Sequence, residues 1–281
     1  MKQKRILILL AVSVALIMGF STPNTGDGKF IEIQGKKEYV VDKGIGEPVV
    51  VFISGLGDDL SSFSEVQKNI SKLTRTISYD RAGIGKSESL GNARSIDNIS
   101  NELNELLTKL DSNQHFILVG HSRAGLIMRY FTNKYPEKVA GMVFIDPTSI
   151  EILNKKRAVR TDVDRMKYDS INKSTYSDTL NFSKTIRNEY YNFYTTDTIL
   201  VKGKDIPNNI PVTILASRKY NNEKYNKEDI DLKLELYNSW VKKAPQIKLI
   251  VTEKSGHAIQ VDEPKLVIKE ITSMYNNLKS K

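Results

Sequence analysis

The sequence predicts an α/β protein with a mostly parallel central sheet and helices on both faces. Short apolar segments with strand character recur along the chain, and segments with helical periodicity separate them. After an opening hairpin, the predicted strands are residues 48–54, 75–80, 115–120, 141–146, 211–217 and 246–252. Strands that alternate with helices imply parallel neighbours joined by right-handed crossovers.

The remaining elements fit this scheme in chain order. Residues 29–34 and 37–41 alternate in polarity around Gly35, which predicts the opening β-hairpin. Residues 95–110 carry apolar side chains at helical spacing, and Pro264 stands at a position favoured for the start of a last helix. Residues 25–281 therefore form one predicted domain.

The first residues, 1–24, have the pattern of an export signal. Basic residues at positions 2, 4 and 5 precede an apolar run over 6–20, and Ser21 begins a polar break. The run is short for a full membrane span and lacks an A-x-A cleavage site, so both a cleaved signal peptide and an uncleaved signal-anchor fit. We expect the domain to be exported, and either secreted or anchored to the outer face of the cytoplasmic membrane.

Composition excludes several classes of function. The 281 residues are 40% hydrophobic and include no cysteine, which indicates a globular protein without disulfides, thiolate metal sites or a cysteine nucleophile. The formal net charge of +9 comes from scattered Lys and Arg, without the dense basic run that a nucleic-acid partner needs. We therefore expect no nucleic-acid partner.

Ser122 has the surroundings of a nucleophile elbow. An apolar strand over 116–119 leads into Gly120, His121 and Ser122, and an amphipathic helix follows at once. Ala124 stands where a G-x-S-x-G sequence has its second Gly, and Gly125 keeps the next position small. A simple strand-to-helix turn with a capping serine is the alternative.

Two other runs of the sequence resemble cofactor-binding motifs but lack a glycine that each motif requires. The run 85–87 ends like a phosphate-binding loop, but Asp80 stands where that loop needs its first Gly. The Gly55-Leu56-Gly57 run lacks the third Gly of a dinucleotide fingerprint. With no metal-binding spacing either, the sequence predicts neither a cofactor nor a metal.

Taken together, the elbow and four further segments resemble the α/β-hydrolase superfamily, in the manner of an exported bacterial member. The four segments are Pro48 to Gly57, Ser78 to Ser87, Met142 to Pro147, and Ser255-Gly256-His257 followed by Asp262-Glu263-Pro264. The resemblance implies a serine hydrolase with a small helical cap inserted at about 148–206. Its aromatic residues either line a substrate pocket or pin the cap to the sheet.

Ser122 needs a base, and the chain holds three histidines. His115 begins the strand whose other end carries the serine, which puts it at the wrong edge of the sheet. His121 adjoins Ser122, but the side chains of neighbours in so tight a turn point apart. His257 follows the last predicted strand and is the expected base.

The acid is less obvious, because the loop after residue 217 has no Asp at the position that the superfamily usually uses. Asp146 at the end of the preceding strand is favoured over Glu223 and Asp229, and it keeps the chain order Ser, acid, His. The resemblance also assigns the oxyanion hole to the backbone N–H groups of Leu56 and Arg123, with Ser54 replacing the usual His.

These residues predict hydrolysis of an ester or related acyl bond in a small-molecule substrate, through an acyl-enzyme. Superfamily members that are dehalogenases or epoxide hydrolases carry Asp at the position of Ser122, which argues against those activities. The alternative is a non-catalytic binding or surface protein that retains the fold, suggested by Ser54 and the irregular acid loop.

Overall fold

The structure is a computed structural model that describes residues 28–110, 115–151, 154, 183–219 and 227–280. The predicted leader over 1–24, the alternative acid Glu223 and much of the predicted cap lie outside the described residues. The export signal thus stays a prediction, which fractionation of expressing cells would test. Within the described part of the chain, no helix is long and apolar enough to cross a membrane.

A single eight-stranded sheet organises the described residues, in the order β1-β2-β4-β3-β5-β6-β7-β8. The strands are β1 Lys29–Ile33, β2 Lys36–Lys43, β3 Val49–Ile53, β4 Thr76–Tyr79, β5 Phe116–His121, β6 Val139–Ile145, β7 Val212–Ser217 and β8 Ile247–Thr252. The strand β2 runs antiparallel to β1 and β4, whereas every pairing from β4 to β8 is parallel. The predicted mostly parallel sheet is confirmed.

Helices cover both faces of the sheet. The helices among the described residues are α1 Ser64–Ile70, α2 Ile96–Leu110, α3 Ala124–Lys134, α4 Lys184–Tyr194, α5 Thr196–Leu200, α6 Lys227–Lys243, α7 Ile259–Asp262 and α8 Pro264–Lys279. Short 3₁₀ turns precede α1 and follow α3.

Alternation along the strands divides the core into two layers. In β3, Val49, Val51 and Ile53 belong to the larger layer, which also contains apolar residues of α2, α3 and α6. Val50 and Phe52 point to the other layer, together with apolar residues of α1 and α8. Both faces of the inner strands are therefore buried, which explains why these strands read as continuous apolar runs.

Parallel strands bring their carboxyl ends to one edge, and three of the predicted site segments follow strands at this edge. Ser122 follows β5, Asp146 follows β6, and the loop that carries His257 follows β8. Ligands of open α/β sheets bind along this edge.

Candidate active site

Ser122 occupies a strained turn between β5 and α3. Its φ is +55°, a left-handed value that non-glycine residues rarely adopt. Its N–H donates to the carbonyl of Ile145 at 3.1 Å, and its own carbonyl accepts from the N–H of Gly125 at 2.9 Å. Strain of this kind persists only where the surroundings fix it, and it is typical of a nucleophile held clear of the backbone.

The small residues around Ser122 are required by close packing. A Cβ added to Gly120 would lie 2.3 Å from the Sδ atom of Met128 and 2.9 Å from Cβ of Ala124. A Cβ added to Gly125 would lie 2.6 Å from Cβ of Pro147. Ala124 fits where a G-x-S-x-G sequence has its second Gly because Gly120, which faces it, has no side chain.

The side chains of Asp146 and His257 are hydrogen-bonded to each other at the same edge of the sheet. Asp146 Oδ2 lies 2.7 Å from Nδ1 of His257, although 111 residues separate them in the sequence. Asp146 is 4% exposed and has a φ of +39°. Of the alternative acids, Asp229 lies on α6 in the wall of the same pocket, and Glu223 falls outside the described residues.

The surroundings lower the pKa values of both Asp146 and His257. Burial alone would raise the pKa of Asp146, but the hydrogen bond from His257 and the charge of Lys233 hold that pKa below its usual value. Burial lowers the pKa of His257, and it prevails over the hydrogen bond to Asp146 that acts in the opposite direction. The imidazole is therefore predominantly neutral at pH 7, the state that a general base needs.

His121 supports the loop that carries His257. Its Nε2 lies 3.0 Å from the backbone carbonyl of His257, so this nitrogen donates, and the two ring centroids are 4.6 Å apart. Its position next to Ser122 excludes His121 as the base, and no pattern in the sequence indicated this contact with the histidine loop. Its ring instead lies in the pocket wall, where it links the elbow to the histidine loop.

The loop after β3 is fixed by a buried arginine. Arg81 donates to the carbonyl of Ser54 at 2.8 Å and to that of Gly55 at 2.7 Å, directly before Leu56. The hydroxyl of Ser54, which stands where the superfamily usually has His, donates to the carbonyl of Asp59 at 2.8 Å. Leu56 itself lines the pocket beside Arg123.

Glu189 of α4 lies at the centre of a fully buried ionic cluster. Its carboxylate accepts from Nε of Arg81 at 2.9 Å and lies 3.2 Å from Nη1 of Arg123. It also accepts from the N–H of Gly57 at 3.3 Å, while Asp197 binds Arg123 from the other side at 2.7 Å. Nothing in the sequence pattern indicated that the side chain of Arg123 pairs with the predicted cap.

These segments surround one pocket of about 460 Å³. Its lining residues from the described part of the chain are Leu56, Asp58, His121, Ser122, Arg123, Asp146, Pro147, Thr148, Ser149, Tyr190, Phe193, Tyr194, Asp229, Ile230, Lys233 and His257. All five residues assigned to the site from sequence lie in this lining, and their catalytic roles remain predictions. Of the aromatic residues in the described part of the predicted cap, Tyr190, Phe193 and Tyr194 line the pocket, whereas Tyr191 is exposed.

The sequence is similar to known proteins over about half of the chain. Residues 48–173 match a family model described as the alpha/beta hydrolase fold. The uncharacterized Bacillus subtilis protein YbdG is 28% identical over 50% of this chain and 46% of its own length. The chain thus spans about half the length of the curated relatives that it matches first.

Two solved structures share the architecture over most of the chain. A thermophilic esterase from Thermogutta terrifontis superposes with a TM-score of 0.59 at 17% identity, covering 90% of this chain and 99% of that one. A putative epoxide hydrolase mutant from Pseudomonas aeruginosa gives a TM-score of 0.69 at 16% identity, covering 90% and 97%. With the matching family model and this shared architecture, the chain has the α/β-hydrolase fold.

Proposed function

We propose that this protein hydrolyses an ester or a related acyl bond through a triad of Ser122, His257 and Asp146. The observation that carries the proposal is the 2.7 Å contact between Asp146 Oδ2 and His257 Nδ1 in the pocket that Ser122 also lines. A carboxylate on Nδ1 fixes the tautomer in which Nε2 is the unprotonated nitrogen. That nitrogen can then accept a proton from a serine hydroxyl.

The reaction follows from these roles. Ser122 Oγ attacks the acyl carbon as His257 takes its proton, and the negative charge that develops on the carbonyl oxygen is accepted by the N–H groups of Leu56 and Arg123. Collapse breaks the bond to the leaving group, which takes the proton from His257, and leaves an acyl-serine. Water then attacks the acyl-serine with His257 again as base, which releases the acid and restores Ser122.

The nucleophile argues for acyl transfer over the other chemistries of this superfamily. A serine hydroxyl activated by an imidazole suits attack on an acyl carbon, where the oxyanion hole stabilises the tetrahedral intermediate. A dehalogenase or epoxide hydrolase needs a carboxylate at the elbow, and this chain has Ser122 there. The esterase from Thermogutta terrifontis illustrates that acyl hydrolysis is a chemistry this fold supports.

The test is covalent labelling by a fluorophosphonate together with hydrolysis of p-nitrophenyl esters of increasing acyl length. We expect the wild-type protein to label and to turn over these esters, and Ser122→Ala to do neither while it keeps its circular dichroism spectrum. Ser64→Ala, at an exposed position at the start of α1, is the matched control and should match the wild type.

Two outcomes would contradict the proposal. Activity that survives in Ser122→Ala would move the nucleophile elsewhere. A folded wild-type protein that neither labels nor hydrolyses any ester would favour the alternative, a non-catalytic binding protein that retains the fold.

A further inference from the structure

Lys233 reaches the buried acid of the site from α6. Its Nζ lies 2.7 Å from Oδ1 of Asp146, and its side chain is 14% exposed. The two residues are 87 positions apart in the sequence. A lysine on the outer face of a helix would normally extend its ammonium group into water, so a buried contact with a carboxylate indicates a specific interaction.

The contact completes the set of donors around the Asp146 carboxylate. Oδ1 accepts from Lys233 and from the backbone N–H of Ser217 at 3.0 Å, while Oδ2 faces His257. With two donors on one oxygen, the carboxylate cannot rotate without losing hydrogen bonds in a buried site. The orientation of Oδ2 toward the imidazole is therefore set from the side opposite to the histidine.

We propose that Lys233 is a positioning residue for hydrolysis, which holds the Asp146 carboxylate in the orientation that aligns His257. This inference rests on the proposed function, and it assigns to α6 a part in the reaction. In the superfamily pattern, the segment after β7 supplies the acid itself. Here β6 supplies the acid, and the helix after β7 supplies the cation that anchors it.

The charge of Lys233 has a second consequence, for the acidity of His257. A nearby cation disfavours the imidazolium form, and Lys233 contributes in this direction to the lowered pKa of His257, after burial and the charge of His121. Removing the ammonium group while keeping the rest of the site should raise that pKa. Because the neutral imidazole is the active form, activity would then be lost at a higher pH on the acid side.

A variant at position 233 leaves the other charged and titratable groups around Asp146 and His257 in place. They are His121 at the end of β5, Asp58 after β3, Arg123 at the elbow, Asp229 and Tyr237 on α6, and Asp262 and Glu263 beyond the histidine loop. A change in the pH profile would therefore be assignable to Lys233.

The experiment compares Lys233→Met, Lys233→Arg and the wild type. The readouts are kcat/KM for a p-nitrophenyl ester and the fluorophosphonate labelling rate, each measured from pH 4.5 to 9. For Lys233→Met we expect a roughly tenfold lower plateau and an acid limb displaced upward by about half to one pH unit. Lys233→Arg keeps the charge and should keep the limb. Lys227→Met, at an exposed lysine of the same helix that pairs with Asp231, should behave as the wild type.

A Lys233→Met profile that coincides with the wild-type profile would overturn the proposal. So would an equal loss in Lys233→Arg and Lys233→Met without displacement of the limb, because that result indicates packing alone. Lys233→Gln, with a polar uncharged end, replaces Lys233→Met if the latter fails to give a cooperative melting curve.

Failure of the proposed function would be recognised separately. If the wild type itself neither labels nor hydrolyses esters, the pKa of His257 is measured from the pH titration of its ring proton resonances in the wild type and Lys233→Met. A higher pKa in the variant supports the electrostatic link between Lys233 and His257, and an unchanged pKa contradicts it.

Discussion

Asp146 and Glu189 are both buried carboxylates with lowered pKa values, but their partners differ in kind. Asp146 is shared between an imidazole and an ammonium group, and the imidazole side chain of His257 is 30% exposed. Glu189 is held by the guanidinium groups of Arg81 and Arg123, and all three side chains are at most 2% exposed. We refer to Asp146, His257 and Lys233 as the acid cluster, and to Glu189, Arg81 and Arg123 as the cap cluster.

The difference separates a cluster that can exchange a proton from one that cannot. In the cap cluster burial opposes ionisation, yet the two arginines hold the pKa of Glu189 at about 2, and arginine does not lose its proton in proteins. The acid cluster includes His257, whose ordinary pKa lies close to neutral pH. The cap cluster thus provides a fixed scaffold for the loops around Leu56 and Arg123. In the proposed mechanism, the acid cluster provides the group that moves protons.

The largest expected effect is on turnover in Asp146→Asn. An asparagine amide favours the wrong imidazole tautomer at His257, and the corresponding exchange in a serine-protease triad lowers kcat by about 10⁴-fold. We expect a loss of this order in ester hydrolysis, with the thermal melting midpoint changed by only a few degrees, because Lys233 can turn toward solvent. Asp229→Asn, in the same pocket wall, is the control and should retain most activity.

The acid assignment would be wrong if Asp146→Asn kept near wild-type turnover while Asp229→Asn lost it. The comparison of clusters would fail if Asp146→Asn unfolded the protein as readily as a change in the cap cluster does.

The next largest effect is on stability in Glu189→Gln. Removing one member of a buried ion pair leaves uncompensated charge and typically costs about 3–5 kcal/mol in the free energy of unfolding. We expect urea denaturation of Glu189→Gln to show a loss of this size. Glu137→Gln, at an exposed glutamate after α3, should change the unfolding free energy by less than about 0.5 kcal/mol. A Glu189→Gln variant as stable as Glu137→Gln would show that the cap cluster contributes no net stability.

The sequence could predict the acid cluster better than the cap cluster, for a physical reason. Ser122, Asp146 and His257 each follow a strand, and the carboxyl ends of parallel strands meet at one edge, so chain order alone brings them together. The resemblance to a known family supplied the preference for Asp146. Lys233 gave no such signal, because a lysine in a polar helix normally faces solvent.

The cap cluster depends on contacts that no local pattern encodes. Arg81 and Glu189 are 108 residues apart in the sequence. Arg123 was predicted for its backbone N–H, which the elbow motif specifies. The burial of its side chain follows from how α4 and α5 pack on the elbow, a tertiary feature outside the reach of periodicity.

Glu38 marks the limit of this comparison, because it is a buried carboxylate with no cation bonded to it among the described residues. It lies in β2, is 1% exposed, and neither carboxylate oxygen has a hydrogen-bond partner among the described residues. Burial, reinforced by the charge of Glu102, raises its pKa to about 8, despite Arg94 nearby. Unlike Asp146 and Glu189, Glu38 is therefore neutral in the folded protein at pH 7.

The sign of the resulting pH dependence follows from proton linkage. Between its ordinary pKa of 4.5 and about 8, Glu38 keeps a proton when folded and releases it when unfolded. The stability that this proton confers is complete below pH 4.5 and is lost as the pH rises through this window, by up to about 1.4 kcal/mol per pH unit. Glu38→Gln, which is neutral in both states, should remove that loss.

We accordingly expect Glu38→Gln to melt at a higher temperature than the wild type at pH 8 and at nearly the same temperature at pH 4.5. Glu32→Gln, which changes an exposed glutamate in β1, should follow the wild type at both pH values. Melting curves recorded across this range decide the point. If Glu38→Gln and the wild type lose stability in parallel as the pH rises, Glu38 is ionised in the fold and must have gained a cation partner. It would then belong with Asp146 and Glu189, and the distinction between paired and unpaired buried carboxylates would no longer hold for this protein.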